Sequence, residues 1–181
     1  MLKFGTTQIR RLARDKRGVS AVEFALIAPL LVGLYLGCVE ISDGVAADRK
    51  VTLVASTVAN LVAQSTTLST TDMSNVLDAS SAIIAPYSSS TLKITVSCLA
   101  IDANKNVSVK WSATRNGTVL SGSVSIPSDL QIANTQLVYA QASYDYRPVI
   151  GYTITGTLTL SEKMYMTPRI TAPTYGTTAC T

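Results

Sequence analysis

The sequence predicts an α+β protein: a long N-terminal helix, a second helix, and an antiparallel sheet of four or five strands. Three observations lead there. An apolar run passes directly into a segment whose apolar residues recur at helical spacing. From Thr91 the period becomes two, as in half-buried strands. Turn residues then punctuate the chain at short intervals.

The first helix begins after a cationic leader. Residues 1–18 carry six Lys or Arg and one acid, Asp15, out of 15 basic and 11 acidic residues in the 181-residue chain. The run Val19–Val39 follows, with Glu23 as its one charge. Its 21 residues would reach about 31 Å as a helix, enough to cross the ~30 Å hydrocarbon core of a bilayer. Ser42-Asp43-Gly44 can break this helix or merely loosen it. Beyond it, Val51, Val54, Ala55, Val58, Leu61 and Val62 form an amphipathic stripe. A continuous helix from Val19 to Gln64 would be about 69 Å long.

Ser65–Thr71 reads as a loop, with Thr70 or Thr71 as the cap of a second helix over about Asp72–Ala85, stopped by Pro86. Leu92, Ile94, Val96, Cys98 and Ala100 alternate with polar residues, as do Val107, Val109, Trp111 and Ala113. The two runs predict a hairpin with one buried face. Asn116-Gly117 marks a tight turn, and a weaker strand is expected near Thr118–Ile126. Further strands are expected at Val138–Tyr146 and, after a turn at Arg147–Gly151, along Ile154, Leu158 and Leu160. The tail from Thr167, with Pro168 and Pro173, should be irregular. The late tyrosines 139, 144, 146, 152, 165 and 175 suit sheet and core positions, or an exposed aromatic surface.

Composition excludes several functions. The chain has no histidine, which removes Ser-His and Cys-His nucleophile pairs, a histidine base and histidine-ligated metal. Three cysteines are too few for a zinc cluster. No phosphate-cradling glycine loop is present, and no carboxylate pair has acid–base spacing, so neither enzyme chemistry, cofactor nor metal is expected. From residue 19 onward nine basic residues face ten acidic ones, so the body has no broad positive field and no nucleic-acid partner is expected.

A carboxylate inside an apolar slab is costly unless paired or protonated, which makes Glu23 a functional candidate. Three readings of the N-terminus compete. A signal peptide would be cut after Val45-Ala46-Ala47, although its apolar core would be long. A plain signal anchor would keep everything and leave Glu23 unexplained. A cut after Gly18 would place the new α-amino group of Val19 one helical turn from Glu23, where it, or one on a neighbouring subunit, could neutralise the carboxylate.

The stretch Arg17-Gly18-Val-Ser-Ala-Val-Glu23-Phe24-Ala-Leu-Ile-Ala-Pro29-Leu-Leu, followed by Gly37-Cys-Val-Glu40, resembles the N-terminal signature of TadE-like minor pseudopilins of the tight-adherence (Flp, type IVc) pilus. The resemblance covers about residues 14–41. It implies cleavage after Gly18 by a prepilin peptidase, with Glu23 and the aromatic Phe24 at the fifth and sixth mature positions. It also implies a pilin-like plan: residues 1–18 a cytoplasmic leader that is removed, 19–41 a transmembrane and assembly helix, and 42–181 a periplasmic head. The positive-inside rule gives the same orientation, and the resemblance implies a bacterial inner membrane.

Expected partners are the prepilin peptidase, other pilins and pseudopilins, the inner-membrane assembly platform and the lipid bilayer. The expected function is that of a minor subunit that initiates, assembles or tips such a pilus. The alternative is an anchored or secreted surface-binding protein that enters no filament. Pro29 is expected to be tolerated in a membrane helix, and Gly33 and Gly37 form a GxxxG spacing that can admit another helix. Cys38 sits in the apolar run as a small hydrophobe. Cys98 and Cys180 would meet an oxidising compartment, where a disulfide could hold the tail; two unpaired thiols are the other possibility.

Replacing Gly18 with leucine should block the cut by crowding the residue before it. An immunoblot should then show only unprocessed precursor in the membrane fraction; mature-sized protein would reject the site.

Overall fold

The computed structural model describes residues 18–148 and 156–181. Helix α1, Val19–Gln64, runs unbroken for 46 residues, through both Pro29 and Ser42-Asp43-Gly44. Pro29 and Gly44 weaken the helix locally, but the chain on either side of each is strongly helical. Strand β1 (Thr67–Leu68), helix α2 (Thr70–Ser81), then strands β2 (Leu92–Ile101), β3 (Val107–Arg115), β4 (Thr135–Tyr146), β5 (Leu158–Met166) and β6 (Thr174–Tyr175) follow. The expected α+β class holds, with four strands in the main sheet, in the order β3-β2-β4-β5 and antiparallel throughout.

The stripe on α1 explains how the layers meet. Glu40, Gly44, Ala47, Val51, Val54, Ala55, Val58, Ala59, Val62 and Ala63 are its buried residues. Steps of three and four keep them on one side. They pack on Leu92, Ile94 and Val96 of β2, Val138, Ala140 and Ala142 of β4, and the flank of β5. Small residues on both surfaces let the helix lie close to the sheet. α2 closes the core from the side with Met73 and Leu77.

The cap of α2 is Ser69, one residue before the two threonines expected there. Its hydroxyl accepts from the Asp72 amide at 3.1 Å, and the Asp72 carboxylate accepts from the Ser69 amide at 3.0 Å. This capping box satisfies two orphan amides. These hydrogen bonds from Ser69 hold the Asp72 carboxyl below its usual range. The α-helix ends at Ser81, and Ala82–Ile84 tightens into a 3₁₀ turn before Pro86, so the expected helix to Ala85 is shorter and tighter than its spacing suggested.

The hairpin departs from the expected single buried face. The register slips between Cys98 and Leu99: Cys98 opposes Trp111 and Leu99 opposes Val109, leaving Lys110 as an extra residue. A bulge of this kind shifts the following side chains to the other face. On β3, Trp111 and Ala113 therefore lie on the helix side of the sheet, whereas Val107 and Val109 turn to the far side. There they join Leu99 and Ile101, which alternate with Cys98 in the ordinary way, in a second cluster with Ile126, Leu137 and Tyr139.

The weak strand expected near Thr118–Ile126 does not form. That segment crosses the outer face as a loop, tied to β3 by one bridge, Ser108 to Ser123, and supplies Leu120, Val124 and Ile126 to the second cluster. Asn116 turns the chain at φ 55°. A Cβ on Gly117 would lie 2.7 Å from Thr114 Oγ1, so the turn needs glycine there. The last main strand begins at Leu158, later than the alternation from Ile154 suggested; Ile154, Tyr152 and most of the expected 147–151 turn lie outside the described residues.

The tail is more ordered than expected. Thr174–Tyr175 pairs in parallel with Thr67–Leu68. The Arg169 amide donates to Ala63 O at 2.9 Å, supplying a partner for a carbonyl at the open end of α1. Trp111 Nε1 donates to Pro173 O at 2.9 Å. Cys180 is joined to Cys98 at the core, with Cα atoms 5.9 Å apart and a sequence separation of 82.

A loop of that length gives a chain-entropy stabilisation of up to about 4.5 kcal/mol. Cys180→Ser should lower the melting temperature and release residues 167–181 to rapid hydrogen exchange before the sheet opens. Non-reducing peptide mapping should recover the linked 98–180 peptides; both cysteines as free thiols would contradict the bridge.

Candidate functional site: the bare stem and its junction with the head

α1 divides into two halves by what surrounds them. The first buried position is Glu40, and the apolar residues before it face outward: Phe24 is 68% exposed, Leu26 76%, Leu30 72% and Leu34 67%. Among the described residues, this is the one helix long and apolar enough to cross a membrane. Its window near the N-terminus is bare, unlike the core helix of a soluble protein.

The expected site residues fall along this half. Gly18 is the N-cap, with no side-chain cap bond, and Val19 is the first helical residue. Glu23 and Phe24 lie exposed in the second turn. Val19 and Glu23 share a face by their spacing of four. Pro29 and Gly33 border a shallow apolar groove with Ala25, Ala28, Val32 and Leu36. Gly37 follows Gly33 one turn later, so the GxxxG pair stands on the bare half. Cys38 is exposed and free. Cys98 and Cys180, by contrast, belong to the core of the head. Among the described residues, no three His, Cys, Asp or Glu side chains gather as a metal site.

The junction between the halves carries an arrangement that sequence reading did not single out. Asp43 Oδ1 accepts from Tyr87 Oη at 2.6 Å, and Asp43 Oδ2 accepts from Tyr146 Oη at 2.7 Å. Tyr87 comes from the turn after α2 and Tyr146 from the last residue of β4. One carboxylate on α1 therefore ties together two distant parts of the head. The Tyr87 ring also lies 6.3 Å from Tyr144 and 6.1 Å, edge-on, from Tyr146. Glu40, one turn before Asp43, is 2% exposed, and its charge acts on Tyr146. Burial first, and then the bond to Asp43, pushes the Tyr87 phenol up to about 12. The same causes in the same order raise Tyr146 well above the ordinary tyrosine value.

The late tyrosines mostly serve the interior. Tyr139, Tyr144 and Tyr146 are buried, and Tyr165 and Tyr175 half-buried. The Tyr139 ring lies 5.2 Å from Tyr165 in a tilted contact, and Tyr175 lies 5.6 Å from Trp111. The signal that could have found the junction is the acid pair itself: Glu40 and Asp43, spaced by three, directly follow a run of 21 residues with one charge.

Residues 18–60 match the family model described as TadE-like protein. TadE-like proteins are a structural family associated with the Tad pilus, and this segment of the chain is similar to them. It begins at Gly18, spans nearly all of α1, and stops before the sheet. No curated protein matches the chain. No solved structure matches it either.

Unfolded tyrosines titrate near pH 10. Tyr87 and Tyr146 hold their protons more tightly in the folded state, so their contribution is complete below about pH 10 and is lost as pH rises through the folded values. The urea midpoint of the head should therefore fall from about pH 10 to pH 12. The fall should be shallower in Tyr87→Phe/Tyr146→Phe, with a remainder from Tyr139 and Tyr165, whose phenols are also raised, mainly by burial. An unchanged slope in the double variant would contradict the clamp.

Proposed function

We propose that this chain is a minor pilin-like subunit of a Tad-type pilus, cut after Gly18 by a prepilin peptidase. Residues 19–41 then hold it in the inner membrane, with 42–181 as a periplasmic head. One observation carries the reading. A single unbroken helix is packed along one face by its own head from Glu40 onward and left apolar and bare before it. A bare apolar cylinder needs lipid or other helices around it. A membrane-resident precursor that later joins a helix bundle meets both needs in turn, and the TadE-like match over 18–60 supports that setting.

Glu23 gives the transfer a direction. In lipid its carboxylate is costly unless protonated. In a bundle it can pair with the α-amino group of Val19, on its own helix or a neighbour's. Assembly would thus relieve a penalty and set the axial register of the stem. The groove at Pro29 and Gly33, with Gly37 beyond it, allows a second helix to approach closely. The assembly platform and other pilins would be the partners at this surface.

Glu23→Gln preserves shape and removes the charge. The variant should still insert and still yield a mature N-terminus at Val19 by mass spectrometry. It should co-purify poorly with pilins and platform, and reduce pilus number. Wild-type association and piliation would make Glu23 a mere interfacial carboxylate. A protein that begins at Val19 yet never co-purifies with pilins would favour an anchored surface-binding protein.

A further inference from the structure

The end of the head nearest the bare stem carries its own apolar rim. Ile41, Gly44, Val45 and Asp48 of α1 and Leu158 and Leu160 of β5 line a shallow groove there. Its aliphatic edges are open, with Ile41 53%, Val45 46% and Leu158 43% exposed. Leu158 pairs with Tyr146 at this end of the sheet, where Asp43 clamps the helix. Arg147, next along from Tyr146, is exposed, and its Nε donates to Thr157 Oγ1 at 3.0 Å. β5 is the edge strand, so no further strand of the sheet covers this flank among the described residues.

We infer that this rim is a lipid-contact surface that seats the head in the headgroup layer of the bilayer while the stem is inserted. The inference rests on the membrane reading of residues 19–41 and adds a second contact to it. Axial distance argues for lipid as the occupant. Measured from Val39, Ile41 stands about 3 Å and Val45 about 9 Å further along the helix axis. The headgroup layer occupies roughly 5–8 Å beyond each face of the hydrocarbon core. Ile41 therefore falls inside the headgroup layer and Val45 at its outer edge whenever Val19–Val39 fills the core, with no rearrangement of the head.

Its chemistry suits that depth. Aliphatic side chains suit the inner part of that layer, tyrosines lie just behind them, and the neighbouring Arg147 can meet lipid phosphates. The groove also continues the bare surface of the stem, so the apolar face passes from helix to head without a polar break until Asp48. Such seating would hold the head against the membrane and fix its rotation about the stem before assembly. Withdrawal into a filament would then release both contacts together.

Spin-label depth measurement tests this on the full chain in vesicles of phosphatidylethanolamine and phosphatidylglycerol. In a Cys38→Ser background, labels are placed singly at Leu158→Cys and Val45→Cys in the rim. Val32→Cys serves as the stem control and Asn104→Cys, in the hairpin at the opposite end of the sheet, as the solvent control. Collision with oxygen reports lipid, and collision with a water-soluble nickel chelate reports water. The rim labels should show several-fold less nickel contact than position 104, with oxygen contact retained. Rim labels that match position 104 while position 32 reads lipid would overturn the seating and leave the inserted stem standing. Exclusion of both reagents from the rim would also overturn it, in favour of a protein neighbour. A water-like reading at position 32 would remove the membrane reading and the seating with it.

Discussion

The contact between the stripe of α1 and the sheet face it covers determines what the rest of the molecule can be. It begins at Glu40 and continues through Val51, Val54, Val58 and Val62, all fully buried. Each such side chain contributes up to roughly 1.5–3 kcal/mol, enough together to hold 25 residues of helix that would be only marginal alone. Because the helix is continuous, the order imposed on its C-terminal half extends to the N-terminal half. That half receives no burial in return: twelve of the nineteen exposed large hydrophobics among the described residues lie between Val19 and Ile41. The head leaves the surface of the stem for another environment to cover.

The boundary between the two environments is drawn by acidic chemistry. Glu40 and Asp43 stand where apolar cover gives way to the head, and Asp43 accepts bonds from Tyr87 and Tyr146. A carboxylate with two strong donors is far less costly in the head than it would be a few residues earlier, in hydrocarbon. Under the membrane reading, the pair would oppose a slide of this part of the helix into lipid. At the other end of the head, the tail closes the exit of α1 through the Arg169 amide, and Cys180 fastens that tail to β2. The head is thus fixed to the stem at both ends of their contact.

Much of this was legible in the amino-acid order. The helix bounds at Val19 and Gln64 followed from an apolar run passing into a stripe without a strong breaker, and Gly44 proved too weak alone to interrupt it. The hairpin was readable from alternation, but its faces were not. Alternation looks the same through a bulge, and the extra Lys110 exchanges inside for outside. Thr118–Ile126 has strand-like residues, yet its role is to cover the second cluster as a loop, which only tertiary packing decides. The tail suggested irregularity because its prolines interrupt a ladder. Its two-residue pairing with Thr67–Leu68 depends on residues 107 positions away. At the candidate site, Gly18, Glu23, Pro29 and Gly33 stood out by fixed spacing in one segment. The Asp43 clamp joins α1 to Tyr87 and Tyr146, 44 and 103 residues distant, and no local pattern encodes such a meeting.

The central claim is that one helix is held by two different media. Hydrogen exchange along α1, with the full chain in bilayer nanodiscs and increasing urea, measures this most directly. The head should open as a unit, so that amides of 40–64 lose protection together with the sheet. Amides of 19–39 should stay protected, because lipid and not the head secures them. Loss of protection along all 46 residues in a single step would contradict the account, since both halves would then depend on the same contacts.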